Sequence, residues 1–227
     1  MEIERKLKAL DRIYAVYDDF VRTQSIACKM HCHECCTTHF TLTTLEAYKI
    51  CETLPSGERQ KLFKRIRESA VLQRFRPATT TNALAELCAA DGDLPEEPEE
   101  SSRSTCPLLA EELCSIYALR PFNCRCLVSR TPCSESGYAD MDEALVAVNT
   151  LFLQTVEHVD ADGCSGNLLD ALDVLADDEK RAAYAVGNLH CSGNGLIANR
   201  PMSVMMVPPE HRHQIAPILQ RLRAIRV

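Results

Sequence analysis

The nine residues from Cys28 to Cys36, CKMHCHECC, place four cysteines in one short stretch. Thiols this dense can form disulfides, hold a metal ion, anchor an iron–sulfur cluster or supply a catalytic nucleophile. Which of these applies decides how the chain is organised around the stretch, and the remaining sequence has to choose.

The chain has 227 residues, 46% of them hydrophobic, enough apolar surface for a packed core without cysteine staples. Its first residues, MEIERKLKAL, alternate charged with apolar side chains and hold no uninterrupted apolar segment, so no secretory signal is expected there. No run approaches the ~18 apolar residues of a membrane span. These features predict a cytoplasmic protein with no membrane contact. In that compartment thiols stay reduced, and dense clusters more often bind metal or do chemistry than form disulfides. Thirteen cysteines, an odd number, also cannot all pair with one another. The formal net charge of −7 argues against a nucleic-acid partner, which is gripped by a basic face that displaces counterions.

Upstream of the knot, Ile3, Leu7, Leu10, Tyr14, Tyr17 and Val21 recur at spacings of four and three, predicting an amphipathic helix over 2–26. Downstream, Thr43 followed by Glu46 is a capping box opening a helix to about Leu54. After the breaker PSG, a helix is expected over 58–75 with Leu62, Phe63, Ile66 and Ala70 inward, and another near 82–90. The acidic, proline- and serine-rich stretch DGDLPEEPEESSRS, 91–104, has almost nothing to bury and predicts a mobile surface loop. CPLLAEELCSIY, 106–117, sets two short apolar runs around AEE and predicts a small hairpin. Pro121 disfavours a helix at Arg120.

From about 138 onward the chain reads as a helical C-terminal extension. Met141, Leu145, Val148, Phe152, Val156 and Val159 share one helical face over 140–161. Short helices follow at 167–176 and 178–188, then a glycine-rich loop, GNLHCSGNGLIANRP, and a closing helix over 209–226. The expected fold is mainly α. It is one compact helical domain over 1–227 with a small β-hairpin and a cysteine-rich metal-binding core.

Cys28, Cys32 and Cys35 have the spacing C-x3-C-x2-C, with Cys36 adjacent. Such spacing lets a short loop turn several sulfurs toward one centre. Side chains of sequence neighbours diverge, so Cys35 and Cys36 are awkward partners on one tetrahedral ion. Either one is idle, or the knot serves a polynuclear cluster or two centres. Radical SAM enzymes share the three-cysteine spacing, but they place it after the first strand of a large α/β barrel. Here a helix precedes it, and that assignment is rejected.

Taken with Cys106, Cys114 and Cys124, the pattern C-x3-C-x2-C-C … C-P-L-L … C-S-I-Y-x-x-R-P-x-x-C-R resembles the YkgJ-type cysteine-cluster family, described as a zinc- or iron-chelating domain. The match spans about 28–125. The resemblance implies that Cys28, Cys32, Cys35, Cys36, Cys106, Cys114 and Cys124 form the metal-binding set. Flagellin lysine N-methylases look similar over the same motif. The acidic insertion and the tail after Cys126 depart from the simplest family members, and no role is carried over to the tail.

Seven sulfurs exceed the four ligands of a closed zinc site. Four plus three would set a closed centre beside one with an open position, and a [4Fe–4S] cluster with a second ion counts equally well. Thiolates suit zinc and iron alike. Arg120 and Arg125 read as cationic partners that offset the thiolate charge; binding an anionic substrate is their sharper role. His31, His33 and His39 read as solvent-facing, though one could replace a sulfur. Cys51 and Cys88 are expected to be buried free thiols, and Cys164 and Cys191, both in glycine-flanked loops, packed ones, with pairing to each other or joining the centre as the alternatives. Cys126 and Cys133 lie close enough to the knot to be alternate ligands.

The residues contain no GxGxxG, P-loop or HExxH pattern. The reading is a metal-chelating cysteine-cluster protein holding iron, as an ion or a [4Fe–4S] cluster, or zinc. The alternative is a metal- or cluster-dependent enzyme that modifies a protein substrate, with a lysine N-methylase-like activity.

Overall fold

The apolar stripe of the N-terminal segment forms α1 (Glu2–Val21), which buries Leu10, Ile13, Tyr14 and Tyr17. A computed structural model of the chain describes residues 2–96, 104–191, 193 and 195–226. The helix stops short of the expected residue 26. The Thr23 amide and hydroxyl both donate to the Phe20 carbonyl, at 3.0 and 2.7 Å, and that local competition ends it.

β1 (Thr41–Thr43) runs directly into α2 (Thr44–Thr53), and the capping box is present in full. The Thr43 hydroxyl accepts from the Glu46 amide at 3.2 Å, and the Glu46 carboxylate accepts from the Thr43 amide at 2.8 Å. α3 (Ser56–Glu68) buries Leu62, Phe63 and Ile66. It ends before the expected residue 75 because the Ser69 hydroxyl turns back onto the carbonyls of Arg65 and Ile66. Ala70, expected inward, is therefore exposed. α4 (Thr81–Ala89) starts at the cap Thr80. Of the predicted acidic loop, 91–96 lies outside any helix or strand, and 97–103 lies outside the described residues.

The predicted hairpin is β2 (Leu109–Ala110) and β3 (Leu113–Cys114). Its turn residues Glu111 and Glu112 are both left-handed, φ 50° and 61°, the backbone of a type I′ turn. α5 (Phe122–Cys126) and α6 (Cys133–Ser136) are short. α7 (Glu143–Val159) buries the expected face, Leu145, Val148, Phe152, Val156 and Val159. β4 (Cys164–Asn167), α8 (Leu168–Val174), α9 (Asp178–Ala185), β5 (Leu196–Ala198) and α10 (Arg212–Arg223) complete the chain.

A three-stranded antiparallel sheet, ordered β1-β4-β5, was not expected. Thr43 lies opposite Ser165, which lies opposite Ile197. Gly166 permits this register, since a Cβ there would stand 2.5 Å from Leu196 Cδ2. A second correction concerns Cys164 and Cys191. They are not separate packed thiols but a disulfide, with Cα atoms 5.9 Å apart, tying β4 to the loop before β5.

One hydrophobic cluster draws its residues from α1, α2, α3, α5, α7, α8, α9 and α10 among the helices. α1 packs on α7 and α10, and α2 and α3 pack on α8, so the segment after 138 contributes the centre of the core. Tyr17 meets the rings of Phe122 and Phe152 edge-on, at centroid distances of 4.7 and 5.1 Å. Two buried carboxylates fix the frame. Glu46 accepts from Tyr14 Oη and the Phe122 amide, each at 2.6 Å. Asp160 accepts from Tyr184 Oη at 2.6 Å, Thr44 Oγ1 at 2.8 Å, the Leu45 amide at 3.0 Å and Asn199 Nδ2 at 3.2 Å. Burial pushes the Asp160 carboxyl up to about 7 against the opposing pull of these donors. Among the described residues the fold is mainly helical with two small sheets. Among the described residues no helix is long and apolar enough to cross a membrane.

Candidate metal centre

Two consecutive turns build the knot. The Cys32 amide donates to the Lys29 carbonyl at 3.1 Å with His31 left-handed, φ 70°, and the Cys36 amide donates to the His33 carbonyl at 2.8 Å. Each turn reverses the chain and returns its cysteines to the same region. The second half of the motif then docks by backbone pairing. The Thr38 amide donates to the Ser104 carbonyl at 2.9 Å, Thr37 bridges to Thr105, and the Cys106 amide donates to the Cys36 carbonyl at 2.9 Å. The hairpin presents Cys114, and α5, held at its first residue by Glu46, presents Cys124.

Six of the seven expected ligands, Cys32, Cys35, Cys36, Cys106, Cys114 and Cys124, line one cavity of about 50 Å³, and Arg120 lines it with them. Cys28 is not on its lining. The thiols share a space without converging on a point. Among the described residues, no three histidine, cysteine, aspartate or glutamate side chains stand as a ready coordination set. Gathering four sulfurs on one ion therefore takes rotation about their χ1 angles.

The thiols differ electrostatically. A hydrogen bond between neighbours raises Cys35, the donor, and lowers Cys36, the acceptor. Burial pushes Cys106 up to about 11, raises Cys114, and lifts Cys124 well above the usual thiol value. Arg120 opposes the rise at Cys35 and Cys114. Its guanidinium lies 3.8 Å from the Tyr117 ring centroid, and Nε donates to the Tyr117 carbonyl at 3.2 Å. Arg120 is thus placed as a cationic neighbour of the thiols. Arg125 is placed elsewhere. It donates to the Arg120 and Ala118 carbonyls at 2.7 and 2.9 Å and stacks 4.6 Å from the Tyr14 ring.

A wider recess of about 700 Å³ lies on another side of the knot, lined by Cys35, Cys36, His33, Glu34, His39 and Cys133 among others. His39 departs from the solvent-facing expectation. Its ring stacks on Phe75 with centroids 6.1 Å apart, and its Nε2 is enclosed without a hydrogen-bond partner. His31 is exposed and His33 half-buried. Cys51 is buried as expected, whereas Cys88 is exposed, because α4 turns Asn82 and Ala85 inward instead. Cys126 is buried and donates to the Asn123 carbonyl at 3.3 Å. The sequence offered Cys133 only as an alternate and Glu46 only as a capping-box residue; its bonds from Tyr14 and the Phe122 amide, 32 and 76 residues away, were not legible.

Comparison of the chain with family models, with curated proteins and with solved structures finds no match, so the functional reading rests on these residues.

Proposed function

We propose that this chain is a metal-chelating cysteine-cluster protein that takes zinc or iron. The observation that carries the reading is the single small cavity shared by six cysteines from two segments seventy residues apart. A donor set this rich in sulfur suits soft or borderline metals and no oxygen-seeking cation. The cavity has room for an ion with a water-sized ligand. Cys36, Cys106, Cys114 and Cys124 would supply four thiolates, and Arg120 would offset part of their charge. Bound metal would tie the knot to the later segment, and an open position, where one is kept, would make it a Lewis acid.

The enzymatic alternative draws on the wider recess beside the knot, which is large enough for an amino-acid side chain. Elemental analysis and acid-labile sulfide, measured on protein purified without oxygen, test the main reading. Zinc or iron bound in proportion to protein is expected. A folded, colourless, metal-free product overturns it.

A further inference from the structure

Besides the two cavities at the knot, a cavity of about 200 Å³ lies against the start of α5. Phe122 and Asn123 line it, and the next residue, Cys124, lines the thiol cavity. β1, α7 and the approach to α4 form its other walls. Among the described residues its lining holds two carboxylates, Glu46 and Glu157, and no lysine, arginine or histidine. Both carboxylates are buried, 4% and 3% exposed. A buried negative charge is costly unless donors or a cation offset it.

The two are not equally occupied. Glu46 accepts from Tyr14 Oη and the Phe122 amide on one oxygen, and from the Thr43 amide and hydroxyl on the other. Its acceptor capacity is used. Glu157 accepts from the Asn82 amide at 2.9 Å on Oε2 and from the Arg200 amide at 3.1 Å on Oε1. A carboxylate offers about four acceptor positions, so each Glu157 oxygen keeps one. The Asn82 amide brings the positive end of α4, but Glu157 itself sits near the negative end of α7, and the two dipoles oppose. Arg200 contributes only its backbone, since its guanidinium goes to Glu86 at 2.7 Å.

The rest of the wall is apolar at Leu84, Leu153 and Val156 and polar at Thr41 and Asn123. Asn123 Nδ2 donates to Thr41 Oγ1 at 2.8 Å, which leaves Asn123 Oδ1 as an acceptor. Acceptors, negative charge and an apolar wall together match a cation that carries N–H donors on an alkyl chain. An anion is repelled. A bare metal ion fits poorly, because no three metal-binding side chains among the described residues stand as a set.

We propose that this cavity binds a small organic cation of the primary alkylammonium class, with Glu157 accepting from the ammonium and the apolar wall packing on the chain. The inference does not use the reading of the thiol cavity as a metal site, so the amine binds whether or not metal is present.

NMR titration of the protein as purified, at neutral pH and constant ionic strength, tests it with n-butylammonium chloride as the probe and butan-1-ol and sodium butyrate as controls. The amine is expected to saturate at one per chain, with nuclear Overhauser contacts from its methylenes to the Leu84 and Val156 methyl groups. Neither control is expected to saturate the site. Glu157→Gln removes the charge at nearly constant volume and is expected to weaken amine binding by roughly tenfold to a hundredfold. Should that variant not fold, the wild-type contacts still locate the site and the alcohol still tests the charge. An amine that does not saturate, contacts elsewhere on the chain, butan-1-ol binding as tightly as the amine, or a folded Glu157→Gln with unchanged affinity each overturns the proposal.

Discussion

The backbone amide of Cys106 donates to the carbonyl of Cys36 at 2.9 Å, joining two cysteines seventy residues apart in sequence. The hydrogen bond belongs to a short antiparallel bridge that includes Thr37 and Thr105. The two halves of the cysteine motif are therefore held by main chain before any ligand is considered. Metal at the shared cavity would add to that pairing and clip a long loop.

Replacing Cys124 by serine tests this coupling. The variant is expected to lose metal and to speed hydrogen exchange in α1, since Cys124 follows Phe122, whose ring Tyr17 meets at 4.7 Å. Cys51→Ser, buried in α2 away from the cavity, should keep its metal and cost about 1–3 kcal/mol of stability through a buried hydroxyl. Unchanged metal and exchange in Cys124→Ser would show that the two halves are independent.

Glu46 holds α1, β1 and α5 to one carboxylate. Glu46→Ala strands the Tyr14 hydroxyl and the Thr43 and Phe122 amides. Each unmet buried donor costs about 1–3 kcal/mol, so a loss on the order of 4 kcal/mol is expected in urea denaturation. A loss under about 1 kcal/mol would show that water replaces the carboxylate.

Asp160 predicts a pH dependence. Its folded-state pKa, raised to about 7 by burial, lies above the unfolded value of about 4. Between these values the native state holds the proton that the unfolded state has released, so this group's contribution falls as pH rises from about 4 to about 7 and is level above. Asp160→Asn cannot titrate. The stability difference between wild type and this variant should shrink across that window, as read by denaturation at several pH values. A difference that is constant or grows would contradict the assignment.

The hairpin turn carries two left-handed glutamates, Glu111 and Glu112. Residues with a Cβ pay about 1 kcal/mol or more for that backbone, and Asn-Gly fits it best. Glu111→Asn combined with Glu112→Gly should raise stability by about 1 kcal/mol and leave metal content unchanged. Thermal unfolding with metal quantified in parallel measures both.

Much of the helical frame is legible in the sequence because the signal repeats over several turns. The stripe of α1, the Thr43–Glu46 capping box and the face of α7 each combine several residues that point the same way. The three-stranded sheet was invisible for the opposite reason. β4 is Cys-Ser-Gly-Asn, with no alternation and no β-branched residue, and only its partners make it a strand. The grouping of Cys106, Cys114 and Cys124 with the knot was an expectation the family resemblance implied, whereas that of Cys28, Cys32, Cys35 and Cys36 was legible from spacing. The enclosure of His39 and the Ala27–Ser129 bond that brings Cys133 to the knot were not, since both depend on loops whose path no local pattern encodes.

The docking of the later cysteines onto the knot also sets an order of events during synthesis. Cys36 leaves the ribosome 88 residues ahead of Cys124. At about 5–20 residues per second, that is roughly 4–18 s. For that interval the nascent chain displays four thiols in nine residues with the walls of their pocket still unmade. The knot is thus most open to oxidation while the ribosome is still at work.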